Sequence, residues 1–131
     1  MSKTFIHKVK VYYEDTDVGG VVYYANFLKF MERSRTEMIY QQLNLNHSNI
    51  KKDVDCVFVV KSCNIKYLKP AKFEDELIIT AKILKKSFVR LVLLQEVKRK
   101  TEILVKADVE LAIIDNNGKV KKLPDELYKK L

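Results

Sequence analysis

The residues best suited to chemistry lie in one segment, residues 12–35, which reads YYEDTDVGGVVYYANFLKFMERSR. Three of its carboxylates fall within four positions, at Glu14, Asp15 and Asp17, just before a pair of glycines. A helix is predicted to begin soon afterwards, and the unpaired N–H groups of a helix N-terminus stabilise anions such as an acyl-transfer oxyanion. A carboxylate just upstream can serve as nucleophile or general base. A solvated acidic loop has the same composition, so the spacing alone leaves both interpretations open.

Two other uses of this segment fail on their spacing. Asp15-Thr16-Asp17 resembles the start of an EF-hand calcium loop, but the fifth and twelfth positions of that loop would be Gly19 and Asn26. Neither residue supplies the carboxylate that the calcium site requires. The glycine pair is not followed by Lys and then Ser or Thr, which excludes a phosphate-binding P-loop.

The remaining reactive side chains favour no second site. His7 and His47 are the only histidines, and neither has another metal ligand at a suitable spacing, so we expect no metal. Cys56 and Cys63 are predicted to be buried on opposite faces of one strand, too far apart for a disulfide. Free cysteines, together with the lack of a signal peptide or a long apolar run, favour a cytoplasmic protein.

The elements that would position the segment follow from the spacing of apolar residues. Alternation over residues 6–13 predicts a strand that includes Tyr13, and a helix is predicted from Asn26, its N-cap, to about Gln42. Beyond residue 55 the pattern becomes β-rich. It predicts strands over 56–68, 76–84, 88–98 and 103–114, and a short helix over 124–131. Short connections favour antiparallel pairing, so the predicted fold class is α+β, in one domain of residues 1–131.

The long helix is predicted to supply much of the core. Apolar residues make up 47% of the 131-residue chain, which excludes intrinsic disorder. In the helix, residues at spacings of three and four form the predicted core stripe: Phe27, Phe30, Met31, Ser34 and Met38. Leu28 and Ile39 extend the apolar surface beyond that stripe, which is typical of an enclosed helix.

The segment closely resembles the YbgC/4-hydroxybenzoyl-CoA thioesterase family. The resemblance is carried by residues 11–17, by Gly19-Gly20-Val21-Val22-Tyr23, by Asn26, and by Glu32-Arg33-Ser34-Arg35. Tyr67 and Pro70-Ala71 match the second conserved block of the family, so the resemblance covers nearly the whole chain. Members are acyl-CoA thioesterases with a hotdog fold, an antiparallel sheet wrapped around a long central helix. The resemblance implies this fold and the hydrolysis of an acyl-CoA thioester.

The resemblance also implies the roles of individual residues. Asp17 matches the catalytic carboxylate, which would attack the thioester carbonyl or deprotonate a water molecule, and Tyr24 matches the residue whose backbone N–H would bind the thioester oxygen. Many members carry His at this position, so an acid–base role of that side chain would be lost here. Gly20 and Val21 are expected to contact the substrate. Tyr13 would orient the carboxylate or be an ordinary strand aromatic.

The charge of the chain suits a phosphorylated thioester carrier. Its net charge is +8, and residues 51–131 hold +7 of it. Lys85, Lys86 and Arg90 flank a predicted hairpin and would contact the phosphates of coenzyme A or an acidic acyl-carrier protein, or else form a solubilising surface. Coenzyme A would be part of the substrate, and no cofactor is expected. Members of the family are dimers or tetramers with active sites at subunit interfaces, so we expect a homo-oligomer, either a dimer or a homotetramer.

Two other functions remain alternatives. A hotdog-fold hydroxyacyl dehydratase usually relies on a His with its carboxylate, and no His lies beside Asp17. A basic RNA-binding module would account for the charge. However, the sequence has neither the Gly-x-x-Gly clamp nor the aromatic signature of common RNA-binding modules, so we expect no nucleic-acid partner.

Overall fold

A computed structural model describes residues 3–131 of the chain. The first two residues of the predicted domain, Met1 and Ser2, lie outside the described residues. Over residues 3–131 the chain forms five strands, a 3₁₀ turn at Tyr13–Asp15 and three α-helices. The elements are β1 (Thr4–Lys10), α1 (Asn26–Leu43), α2 (His47–Val54), β2 (Val57–Tyr67), β3 (Glu76–Lys86), β4 (Arg90–Arg99), β5 (Glu102–Ile114) and α3 (Asp125–Lys130).

The five strands form one sheet in the order β1-β3-β4-β5-β2, and every neighbouring pair is antiparallel. The α+β class and the antiparallel pairing predicted from the short hairpins are therefore confirmed. β1 and β2 are the edges of this sheet. Helix α1 packs against one face, where the carbonyl oxygen of its Met31 accepts from Nε2 of Gln95 on β4 at 3.0 Å.

The core lies between α1 and the inner face of the sheet. Alternate residues of the central strands are buried there, as period-two patterning requires. All five residues of the predicted helical stripe are buried, which confirms that prediction. Leu28, however, is 45% exposed, so α1 keeps one open side within a single chain and is not fully enclosed.

Two local predictions about strands and cysteines are wrong. β1 ends at Lys10 and not at Tyr13, because Val11 exchanges hydrogen bonds with the connection between β2 and β3: its N–H donates to Asp75 at 2.9 Å and its carbonyl accepts from Glu74 at 3.0 Å. Cys63 is exposed, because it lies on the edge strand β2. Both cysteines are free, and Cys56 is buried just before β2.

Two helix predictions also need correction. Asn26 is the first residue of α1, while Ala25 is its N-cap, and the side chain of Asn26 donates to the carbonyl oxygen of Asp15 at 2.9 Å. His47 begins α2, a helix that the pattern of apolar residues did not predict. Over residues 3–131, no helix has both the length and the apolar character needed to cross a membrane.

Candidate active site

The candidate site is a tight loop between β1 and α1. Asp17 donates its backbone N–H to the carbonyl oxygen of Val21 at 2.9 Å, and Thr16 and Val22 pair across the base of the loop. Gly20 closes the turn at a φ of +80°, a conformation that favours glycine because it has no Cβ. Its N–H donates to the main-chain oxygen of Asp17 at 3.1 Å. The glycine pair therefore makes the short reversal that presents the Asp17 side chain.

The Asp17 carboxylate is exposed and held from one side only. Its Oδ1 accepts a hydrogen bond from the backbone N–H of Gly19 at 2.8 Å. No hydrogen bond from residues 3–131 reaches its Oδ2. One oxygen is therefore fixed by the loop, while the other is available to a carbonyl carbon or to a water molecule.

The start of α1 is tied to the same loop. The carbonyl oxygen of Asp15 accepts from the N–H of Tyr23 and from Nδ2 of Asn26, both at 2.9 Å. In the part of the chain that the structure describes, the N–H of Tyr24 has no acceptor. A free N–H just before a helix is suited to an anion or to a polarised carbonyl oxygen.

Aromatic rings cluster at the start of α1. The Tyr24 ring meets the edge of Tyr67 at 5.8 Å between centroids, and Tyr67 lies 6.0 Å from Phe27. Partial burial, and next the neighbouring Cys63 and Tyr24, raise the pKa of the Tyr67 hydroxyl. Tyr67 thus joins the end of β2 to the start of α1. The sequence singled it out only as part of a conserved block, and not as a wall of the site.

Tyr13 lies in the 3₁₀ turn, so its interpretation as a strand residue is wrong. Tyr13 is 75% exposed, and its ring stacks on that of Phe73 with 4.0 Å between the centroids and an interplanar angle of 14°. Among residues 3–131, no hydrogen bond joins Tyr13 to Asp17. Its role in orienting the carboxylate stays a prediction.

Two further predicted substrate contacts lie in the loop itself. Gly20 is exposed, and Val21 is half-buried and pairs with Lys72 in an antiparallel bridge. Both residues are next to Asp17 in space, through the hydrogen bond from Asp17 to Val21. The structure therefore brings Asp17, Gly20, Val21 and the N–H of Tyr24 into one loop and helix start.

The predicted basic residues lie elsewhere. Lys85 is near the far end of β3, roughly 30 Å from Glu76 at about 3.3 Å per residue. Lys86 donates to the carbonyl oxygens of Tyr128 at 3.0 Å and Leu131 at 2.9 Å. The Arg90 guanidinium forms an ion pair with Glu110 at 2.8 Å. These three bases lie at the end of β3 and β4 opposite to the connection that pairs with the Asp17 loop, and their contact with a substrate stays a prediction.

Outside the Asp17 loop, a concave region lies along α1 on the side that faces β2. It is a cavity of about 280 Å³ between Arg35 and the edge strand. Burial lowers the pKa of the Arg35 guanidinium, with a smaller opposing effect from Glu32, and its Nη1 donates to Oε1 of Gln95 at 3.0 Å. The residues that line the cavity are Glu32, Arg35, Thr36, Ile39, His47, Phe58, Val60 and Leu111.

Comparison with known proteins identifies the family. The family model described as Thioesterase superfamily matches residues 19–106. The chain belongs to the thioesterase superfamily. The acyl-CoA thioesterase YbgC of Haemophilus influenzae is 39% identical over 117 residues, which cover 89% of this chain and 85% of that protein. The acyl-CoA thioester hydrolase YbgC of Escherichia coli O157:H7 is 37% identical over 108 residues, which cover 82% of this chain and 79% of that protein.

A solved structure confirms the fold of this thioesterase-superfamily chain. The crystal structure of a probable thioesterase from Bartonella henselae superimposes with a TM-score of 0.88 and 32% identity, and covers 93% of this chain and all of that one. The predicted hotdog fold and the family resemblance are thus both confirmed. The family match begins at Gly19, two residues after Asp17, so the assignment of Asp17 depends on the motif and on the geometry of the loop.

Proposed function

We propose that this thioesterase-superfamily protein hydrolyses the thioester bond of an acyl-CoA. One observation carries the proposal: an exposed carboxylate, Asp17, and a free helix-start N–H, that of Tyr24, belong to a single hydrogen-bonded loop. The relatives at 37–39% identity that bear the name acyl-CoA thioesterase or thioester hydrolase support it. A dehydratase or an RNA-binding module has no comparable support.

The proposed reaction uses only these groups and water. The carbonyl oxygen of the thioester accepts a hydrogen bond from the N–H of Tyr24, which stabilises the negative charge that develops when the carbonyl carbon is attacked. The free oxygen of Asp17 either attacks that carbon to give a mixed anhydride or removes a proton from the attacking water. The carbon–sulfur bond breaks, and coenzyme A leaves as the thiolate. In the first route water then hydrolyses the anhydride and frees Asp17, and in the second the hydroxyl of the water stays on the acyl carbon. In both routes one proton of the water ends on the sulfur, so the products are the free acid and coenzyme A thiol. No metal and no cofactor take part in this proposal.

The direct test measures thiol release over a panel of acyl-CoAs for the wild type, Asp17→Asn and Glu14→Gln. Asp17→Asn keeps the shape of the side chain but loses the charge, and we expect a roughly 10²–10⁴-fold lower kcat. Glu14→Gln is the matched control, because Glu14 is an exposed carboxylate in the same segment. Full activity of Asp17→Asn would remove Asp17 from its role, and inactivity of the wild type over the whole panel would contradict the function.

We also propose that the active protein is a homo-oligomer, at least a dimer, formed through the edge strand β2. Val60 and Tyr67 on this strand are 50% and 43% exposed, and Leu28 on the open side of α1 is 45% exposed. Antiparallel pairing of two β2 strands would cover these side chains and place a second chain beside Tyr24. Light scattering tests this: a monomeric wild type with full activity would contradict it, while Val60→Glu should yield an inactive monomer.

The surplus of positive charge supports a phosphorylated carrier as the leaving group. Lys72 is the base whose backbone pairs with Val21, in the loop of Asp17. Acyl-carrier protein is the second proposed carrier, and steady-state rates with matched acyl-CoA and acyl-carrier substrates at two salt concentrations separate the two. The two free cysteines support a cytoplasmic location.

A further inference from the structure

A cluster of charged side chains outside the site joins the connection between β2 and β3 to the hairpin between β4 and β5. Arg99, the last residue of β4, donates from Nη1 to Oδ2 of Asp75 and from Nη2 to Oε1 of Glu102, both at 2.7 Å. Its Nη1 also approaches the carbonyl oxygen of Pro70 at 3.4 Å. The second oxygen of Glu102 accepts from the ammonium of Lys69. Arg99 therefore holds both ends of the connection, residues 68–75.

Asp75 extends the cluster to the backbone. Its Oδ2 also accepts from the N–H of Lys72 at 2.9 Å, and its carbonyl oxygen accepts from the N–H of Val11 at 2.9 Å. Partial burial favours the neutral acid, but the hydrogen bonds from Lys72 and Arg99 outweigh it and lower the pKa of Asp75. A carboxylate that accepts from both a guanidinium and a backbone N–H fixes the geometry of the segment between them.

The same connection supports the loop of Asp17. The carbonyl oxygen of Ala71 accepts from the N–H of Val22 at 2.8 Å, and Lys72 pairs with Val21. Val21 in turn accepts from the N–H of Asp17 at 2.9 Å. Hydrogen bonds, joined by short stretches of backbone, thus connect Arg99 through Asp75 and residues 71–72 to the backbone of Asp17.

We propose that Arg99 is a positioning residue for the reaction, acting through Asp75 and Glu102 on residues 68–75 and from there on the Asp17 loop. Arg99 does not contact the reacting atoms in this proposal. The prediction about activity rests on the proposed function. The prediction about the order of the Asp17 loop rests on the structure alone. A displacement of reacting groups by about 1 Å costs as much as 10²-fold in rate, so a loosened connection is expected to lower kcat.

The activity test compares Arg99→Ala and Arg99→Lys with Glu96→Gln. The control is Glu96→Gln, which weakens another ion pair of β4, between Glu96 and Lys98 at 3.7 Å. We expect Arg99→Ala to lose roughly 10–100-fold in kcat with a KM within about twofold of the wild type. Arg99→Lys should recover part of the loss, as should millimolar guanidinium added to Arg99→Ala. An unchanged kcat in Arg99→Ala, or an equal loss in Glu96→Gln, would overturn the proposal.

A second measurement does not depend on activity. Amide hydrogen exchange of residues 11–25 should be faster in Arg99→Ala by about tenfold or more, while exchange in α1 beyond its first turn stays as in the wild type. Unchanged exchange over residues 11–25 would overturn the proposal even if the protein had no thioesterase activity. If Arg99→Ala fails to fold, Asp75→Asn replaces it, because this variant keeps the shape of the side chain and loses its charge. The kcat and the amide exchange expected for Asp75→Asn are those given for Arg99→Ala.

Discussion

The N–H of Gly19 donates to Oδ1 of Asp17 at 2.8 Å, so the loop itself holds one oxygen of the proposed catalytic carboxylate. The approach is close: a Cβ added to Gly19 would lie 3.2 Å from this oxygen. Such a distance is tight enough that one of the two atoms must move. Because Oδ1 is at the end of a side chain, it is the carboxylate that would give way.

Gly19→Ala should therefore lower activity more than stability. We expect kcat to fall by roughly tenfold or more, because the added Cβ displaces the carboxylate from its position in the loop. The matched control is Gly118→Ala, at a distant turn with a φ of +83° and open space around the glycine. That variant should lose about 1 kcal/mol of stability and keep its kcat. Thermal unfolding measures the stability of each variant. Equal kcat values for Gly19→Ala and the wild type would contradict the displacement of the carboxylate.

Tyr24 should act through its backbone and not through its side chain. Tyr24→Pro removes the N–H, which has no acceptor among residues 3–131, and proline is tolerated near the start of a helix. We expect a loss of about 10²–10³-fold in kcat, the usual effect of deleting one oxyanion donor. Tyr24→Phe keeps the N–H and the ring and should stay close to the wild type. If both variants are folded by circular dichroism and Tyr24→Phe loses more kcat than Tyr24→Pro, the role belongs to the hydroxyl and not to the N–H.

Much of the fold could be predicted from the sequence because strong periodicity marks its elements. The stripe of α1 and the alternation of β3, β4 and β5 each bury one face, so pattern and structure agree. The pattern of apolar residues did not predict helix α2, because Ile50 is its only buried residue. Its signals are at the ends: Asn46 caps it by accepting from the N–H of Asn49 at 2.8 Å, and Asp55 ends it with a φ of 55°.

The site could be predicted only as far as its contacts are local. Asp17, the glycine pair and the start of α1 are neighbours in sequence, and so their association is readable. The contacts of Val22 with Ala71 and of Tyr13 with Phe73 join segments far apart in the chain, and no spacing rule predicts them. The same holds for Lys86, whose acceptor Tyr128 is 42 residues away.

Lys86 should affect stability and not the affinity for substrate. Its ammonium donates to the carbonyl oxygens of Tyr128 and Leu131 and lies 4.3 Å from the centre of the Tyr128 ring, so it anchors α3 to β3. Lys86→Gln is expected to lower the free energy of unfolding by about 1–2 kcal/mol. Lys85→Gln, at an exposed neighbour, should leave it unchanged. A raised KM for acyl-CoA in Lys86→Gln without any loss of stability would instead support the predicted contact with phosphate.

His47 should make stability depend on pH. Its ring lies between Tyr40, at 5.4 Å, and Phe58, at 5.9 Å, and no residue of 3–131 forms a hydrogen bond with its buried Nε2. Burial lowers the pKa of this imidazole, with a smaller opposing effect from Glu32. As the pH falls below about 6.5, His47 takes up its proton at a higher pH in the unfolded chain than in the folded chain. His47 therefore lowers the free energy of unfolding at acidic pH and has no such effect above about 6.5.

The comparison of wild type with His47→Phe, by chemical denaturation at several pH values between about 8 and 5, measures this contribution. Phe keeps an aromatic ring beside Phe58 but cannot take up a proton, so its stability should fall less than that of the wild type as the pH decreases. An NMR titration of the folded wild type should give an imidazole pKa below the ordinary value. Parallel stability curves for the two proteins would show that His47 is protonated alike in the folded and unfolded chains, contrary to the expected effect of burial.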